Sequence, residues 1–242
     1  MTTFPFLIQQ NCHLSWDSLF TNQNVLNDLA QISLNIANQL IEPQPNNIFR
    51  AFQTDLNNCK VVILGQDPYP QPTVATGRAF EVGNITNWMA LRTAQHSNAS
   101  LRNILKLLHK NRQNHQSIQS INVVMNDPIF MNLILPPNQI FNNWERQGVL
   151  LLNTALTCPQ GNTSQSNAHA KNWKNFTEEA IKFIDTNING VSWFLWGKGR
   201  GFCHLISNGT KYCSEHPRNN NNGPGSFYYE NHFSKVTLIR WV

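Results

Sequence analysis

The sequence predicts an α/β fold in which helices sandwich a mainly parallel sheet. Three short apolar runs carry the sheet: Val61-Val62-Ile63-Leu64, Val149-Leu150-Leu151-Leu152 and Val191 to Trp196. None alternates polar with apolar residues, which is how strands buried on both faces read. Amphipathic helical patterns fall between the runs, and that alternation builds a layered α/β sandwich.

Taken in order, residues 15–42 place Leu19, Phe20, Val25, Leu26, Leu29, Ile32, Leu34, Ile36 and Leu40 at roughly helical spacing. They predict two short helices. Asn47 to Leu56 predicts another, just before the first apolar run. Leu101 to His109 and Asn138 to Arg146 predict helices ahead of the second run, and Trp173 to Asp185 one ahead of the third. Thr210 to Ser214 is a fourth candidate strand and leads to His216. No repeat or linker divides the chain, so a single domain over residues 1–242 is expected.

Composition bounds the function more loosely. Hydrophobic residues make up 40% of the chain, enough to fill a core, while charged residues are only 13% and leave the surface to Asn and Gln. The run Asn219–Asn222 is the extreme case. Because the asparagines are spread through periodic segments, they read as compositional bias rather than a prion-like tract. The formal net charge of +5 admits an anionic partner without identifying one. Cys12, Cys59, Cys158, Cys203 and Cys213 form no CxxC pair, and their odd number argues against a disulfide framework. Phe4 to Ile8 is apolar but short and has no basic flank, so neither a signal peptide nor a membrane span is expected. These features predict a soluble cytoplasmic protein with no membrane partner, and a monomer is expected.

In open parallel sheets the ligand crevice lies beyond the carboxyl ends of the strands. The first run ends in Gly65-Gln66-Asp67-Pro68-Tyr69-Pro70, the second in Asn153, and the fourth candidate strand leads to His216-Pro217. An acid, an amide and an imidazole thus leave three strands at one rim. Each has a structural reading: Asp67 as a turn or cap residue, Asn153 as a turn, His216 as a satisfied histidine. Together they suggest a chemistry. An Asn amide offers a donor beside an acceptor, complementary to N3–H and O4 of uracil and mismatched to cytosine. Breaking an N-glycosidic bond builds positive charge on the sugar and negative charge on the base. A carboxylate at Asp67 and a donor at His216 would stabilise those charges. Phe80 can stack on an extruded base, or simply pack in the core.

Val61 to Tyr69 (VVILGQDPY) resembles the water-activating motif of the family 1 uracil-DNA glycosylases almost residue for residue. Trp144 to Thr157 (WERQGVLLLNTALT) resembles their uracil-reading segment. Further similarity lies in Ile48 to Phe52, Trp173 to Thr177, Phe194 to Gly197, His216-Pro217 and His232 to Lys235, all in the family's order. The resemblance implies a four-stranded parallel sheet flanked by helices, and hydrolysis of the uracil–deoxyribose bond in DNA without metal or cofactor. Carried over position by position, it implies that Asp67 orients the water and stabilises the sugar cation. Gln66 supplies backbone contacts to the base, and Tyr69 blocks a thymine methyl group. Phe80 stacks on uracil, Asn153 reads its edge, and His216 donates to O2 as a neutral imidazole.

Three departures qualify the resemblance. Pro70 replaces the His that usually closes the first motif. Glu81 to Ala99 is longer than the family's proline-rich loop, although Ser100-Leu101 resembles its end, with Ser100 placed to cap a helix and bind a phosphate. After His216-Pro217 the family's Ser and wedging Leu are replaced by Arg218, Asn219–Asn222 and Gly223-Pro224-Gly225-Ser226. Arg218 can grip a phosphate, fill the vacated stack or stay solvated, and the Asn- and Gly-rich loop reads as mobile. Without an apolar wedge, single-stranded uracil-containing DNA is the expected preference. Arg78, Lys198, Arg200 and Lys235 also lie near the motifs and read as solvated charges. Two other readings stay open: a DNA-binding replication accessory on the same fold, and a glycosylase for a modified pyrimidine. Cys203, His204, Cys213 and His216 match no zinc module, and free thiols are the simpler reading.

Overall fold

The computed structural model describes residues 11–92, 98–161 and 166–242. Its centre is a four-stranded, fully parallel sheet formed by β2 (Val61–Gly65), β3 (Val149–Asn153), β5 (Ser192–Trp196) and β6 (Thr210–Ser214). The spatial order is β3-β2-β5-β6. A two-stranded antiparallel pair, β1 (Ile41–Glu42) with β4 (Cys158–Pro159), sits apart from it.

All residues of β2, β3 and β5 are buried, and their side chains divide by parity between two cores. Val61, Ile63, Val149, Leu151, Phe194 and Trp196 enter one core. Val62, Leu64, Leu150, Leu152, Trp193 and Leu195 enter the other. Period-two alternation with both faces apolar makes each strand a continuous apolar run.

The second core is covered by α1 (Asp17–Phe20), α2 (Gln23–Ile36) and α7 (Ser166–Asn187). The first is covered by α3 (Ala99–Arg112), α4 (Ile121–Met125), α5 (Pro128–Leu133), α6 (Pro137–Arg146), α8 (Phe227–Glu230) and α9 (His232–Lys235). The result is the expected three-layer α/β/α sandwich.

Two expectations about elements need correction. Asn47 to Leu56 is not one helix but a string of 3-10 turns at Pro45–Asn47, Arg50–Gln53 and Leu56–Asn58. Asp55 caps the last of these by accepting from Asn57 N–H at 3.0 Å, and such local side-chain bonds compete with a continuous helix. The short helices α4 and α5 were not read from the sequence. Ser120 and Asp127 cap them, Asp127 accepting from the N–H groups of Ile129 and Phe130 at 3.0 and 3.1 Å. The apolar stretch Phe4 to Ile8 lies outside the described residues, as does part of Glu81 to Ala99. Among the described residues, no helix is long and apolar enough to cross a membrane.

Candidate active site

The carboxyl ends of β2 and β3 are joined by main-chain bonds that continue beyond the sheet. Thr154 N–H donates to the Gly65 carbonyl at 3.0 Å, and Ala155 N–H to the Gln66 carbonyl at 3.0 Å. The Thr154 hydroxyl donates to that same Gln66 carbonyl at 2.7 Å. Behind them, the Thr177 hydroxyl donates to the Thr154 carbonyl and Trp173 Nε1 to the Thr157 hydroxyl, both at 2.7 Å. The Trp173 to Thr177 stretch of α7 therefore braces the Asn153 segment from the far side. Asn153 is 4% exposed, and its amide has no hydrogen-bond partner among the described residues. That amide lines the cavity, so its donor and acceptor are available to an incoming polar edge. The missing side chain at Gly65 makes room for it: a Cβ there would stand 2.4 Å from Asn153 Oδ1.

Asp67 lies two residues past β2. Burial raises its pKa above the ordinary carboxylate value, while a hydrogen bond from the Gln66 side chain and the charges of Lys198 and Arg218 pull it back down. Tyr69 is half-buried in the same turn, and burial raises its phenol pKa.

His216 lies two residues past β6 and packs on Gly197, where a Cβ would stand 2.9 Å from the His216 Cβ and Cδ2. Arg218 N–H donates to His216 Nδ1 at 3.1 Å. Burial, reinforced by the positive charge of Arg218, pushes the imidazole pKa down to about 4. Near neutral pH the ring is uncharged with Nδ1 as acceptor, which puts its one proton on Nε2. Phe80 sits 5.8 Å from the His216 ring and edge-on to Trp196 at 5.1 Å. Its φ of 65° is in the left-handed region, unusual for an aromatic residue and a form of strain that concentrates at functional sites.

These groups line one cavity of about 380 Å³, bounded by Gln66, Asp67, Tyr69, Phe80, Ser100, Asn153, His216 and Arg218 together with Pro68, Pro70, Gln71, Asn167 and Lys198. All eight residues singled out in the sequence lie on it. Lys198 and Asn167 were not assigned to it. Lys198 follows the end of β5 and its Nζ donates to Asn167 Oδ1 at 3.3 Å. The strand-end argument that found the other three groups applies to Lys198 equally. Asn167 had no signal, being one of many asparagines.

Several expectations about individual residues change. Ser100 does not cap α3: Asn98 holds the cap position, and Ser100 is the second helical residue, buried against the cavity. Arg78 is no solvated charge. It is 4% exposed, bonded to both carboxylate oxygens of Glu81 at 2.8 and 2.7 Å and paired with Glu145. Lys235 pairs with Glu230 at 3.1 Å. The Asn-rich loop is exposed, and some of its amides bond to Glu215. Asn219 and Asn221 donate to Glu215 Oε2 at 3.0 and 2.9 Å, and Asn103 donates to the Pro217 carbonyl at 2.7 Å. Among the described residues, all five cysteines are free thiols, and no cluster of three or more His, Cys, Asp or Glu could hold a metal ion.

The model of the uracil DNA glycosylase superfamily matches residues 52–236. A uracil-DNA glycosylase of Idiomarina loihiensis is 31% identical over 217 residues, covering 84% of this chain and 86% of that protein. One from Aeromonas hydrophila is 35% identical over 163 residues, covering 66% of this chain and 60% of that protein. The crystal structure of the wild-type UNG from Nitratifractor salsuginis superposes with a TM-score of 0.71 at 23% identity, covering 95% of this chain and 93% of that one. Mimivirus uracil-DNA glycosylase gives 0.64 at 22% identity, covering 91% and 80%. The superpositions establish the shared fold, and the family match over most of the length establishes descent: this chain belongs to the uracil-DNA glycosylase superfamily.

Proposed function

We propose that the chain excises uracil from DNA by hydrolysing the N-glycosidic bond of a base flipped into the cavity lined by Asp67, Asn153 and His216. The observation that carries this reading is the combination, at one sheet edge, of an amide facing the cavity without a protein partner, a carboxylate and an imidazole held neutral with its proton on Nε2. Asn153 accepts from N3–H and donates to O4 of uracil, and Phe80 stacks on the ring. Tyr69 fills the space a thymine methyl group would need. Cytosine, with the opposite pattern at these two atoms, leaves buried groups unpaired.

As the C1′–N1 bond lengthens, its electron pair moves into the base and is spread onto O2, where His216 Nε2–H donates. The sugar becomes cationic beside the Asp67 carboxylate, which also orients a water towards C1′. The water oxygen bonds C1′ and its proton passes through Asp67 to solvent. Uracil leaves and is protonated by solvent, and the DNA keeps an abasic deoxyribose. Gln66 supplies main-chain contacts to the base. Ser100, Arg218 and Lys198 are placed at the cavity for the phosphates of the strand, so affinity falls with salt. The exposed asparagines after Arg218 provide no apolar wedge, which favours single strands, where extrusion costs less. The enzyme acts as a single domain and as a monomer.

Incubation with labelled oligonucleotides holding one uracil, in EDTA, followed by alkali tests this reading. Scission at the uracil supports it. Folded protein that leaves both single and double strands intact points instead to an accessory role or a modified base.

A further inference from the structure

A second cavity, of about 390 Å³, lies away from the uracil site and is lined by Leu108 and Arg112 of α3, Leu133 of α5, Phe233 of α9, and Arg240 and Trp241 near the C-terminal end. Its place in the fold follows from Gln147, two residues before β3. Gln147 Oε1 accepts from Arg240 N–H at 2.7 Å, and its Nε2 donates to the Arg240 carbonyl at 3.0 Å. The groove is therefore at the amino edge of the sheet, opposite the edge that carries Asp67, Asn153 and His216. α3 connects the two, with Ser100 on the uracil cavity and Arg112 on the groove. At about 1.5 Å rise per residue they stand about 18 Å apart along the helix axis.

The groove's chemistry is amphipathic. Its floor is aliphatic and aromatic, and Leu133 is 38% exposed there. Ile129, one helical turn earlier on the same face of α5, is 66% exposed and extends that apolar surface. At the rim, Arg112 and Arg240 are both exposed; Arg240 Nε donates to the oxygen of Val242 at 3.1 Å, and Arg112 makes no ion pair among the described residues. Exposed guanidinium groups around an apolar floor complement carboxylates set beside large apolar side chains. A nucleic-acid strand would use the cations but leave the aliphatic floor uncovered.

We propose that this groove docks an acidic segment of a partner protein, one carrying Asp or Glu beside one or two Leu or Phe side chains. Because it occupies the sheet edge opposite the uracil cavity, the bound segment leaves the cavity open, and the enzyme can excise uracil while held by its partner.

Fluorescence anisotropy with the full chain tests this. The probe is a short capped, labelled peptide of Asp with interspersed Leu and Phe, compared with its Asp→Asn and its Leu/Phe→Ser counterparts. Saturable binding of the acidic apolar peptide is expected, weakened at least about tenfold in either counterpart and by Arg112→Glu or Arg240→Glu. Uracil excision by both variants should stay at the wild-type rate. Failure of excision in the wild type would count against the proposed enzyme activity without bearing on the groove. Absence of peptide binding, or binding indifferent to the charge reversals, overturns the proposal. So does displacement of the peptide by uracil-free oligothymidylate, which would make the groove a nucleic-acid site. A dimer that Arg112→Glu dissolves, in the absence of peptide binding, would assign it to a second copy of the chain.

Discussion

Replacing Gly65 by alanine should damage base reading far more than folding. The new Cβ would stand 2.4 Å from Asn153 Oδ1 and 2.8 Å from the Ala79 Cβ, where ordinary contacts begin at 3.4 Å. Restoring contact with the amide requires a shift of about 3.4 − 2.4 = 1.0 Å. The strands cannot supply it, because Gly65 is in register with Asn153 and its carbonyl accepts from Thr154 N–H at 3.0 Å. Ala79 is also fixed, its N–H donating to the Leu151 carbonyl at 3.1 Å. The mobile part is the end of the Asn153 side chain, so the amide moves. A displacement of about 1 Å in a positioning group costs on the order of 100-fold in rate, and crowding against Ala79 costs about 1–3 kcal/mol of stability. Single-turnover excision from a uracil-containing single strand, with a thermal melt alongside, reads both. Gly201→Ala, where a Cβ meets nothing within 4 Å, is the control and should excise normally. A Gly65→Ala protein that excises at the wild-type rate would refute the placement of the amide.

Asp67→Asn should lower turnover by about 100-fold or more while leaving affinity for a uracil-containing strand largely intact, checked by excision kinetics beside anisotropy. Arg218→Ala should move the acid limb of kcat/KM to higher pH. The Arg218 charge both disfavours protonated His216 and favours ionised Asp67, so its loss raises both pKa values; a limb that stays in place contradicts this. The ratio of single- to double-strand excision rates should exceed one, and equal rates would remove the significance of the missing wedge.

Three of the strands were legible because burial on both faces makes β2, β3 and β5 nearly continuous apolar runs; β6, at the sheet edge, is polar and largely unburied, and was read only as a candidate. Polar groups at the strand ends are therefore conspicuous: Gln66 and Asp67 after β2, Asn153 closing β3, and His216 two residues past β6. Lys198 after β5 obeys the same rule and was passed over because a lysine on a loop usually faces solvent. What stayed hidden depends on pairings distant in sequence. Arg78 is a buried ion held by Glu81 three residues on, and by Glu145 and Asn142 of α6, which only the fold brings to it. The loop after Arg218 gives no sign in the sequence that Asn103 of α3 donates to its Asn219 carbonyl or that Glu215 accepts from its Asn219 and Asn221 amides. Asn-rich composition blurred the local signals as well, since asparagine serves equally as cap, turn and surface residue, and that concealed both Asn167 and the 3-10 turns between Pro45 and Asn58.

The central claim is that the cavity reads uracil through the Asn153 amide, and the most direct measurement is the mass of free base released. Wild-type protein and Asn153→Ala would be incubated with single strands holding one uracil, one thymine or one cytosine at the same position. The account predicts uracil, and neither other base, from the wild type, with release falling by two orders of magnitude or about that in Asn153→Ala. Uracil release that is indifferent to loss of the amide would contradict it.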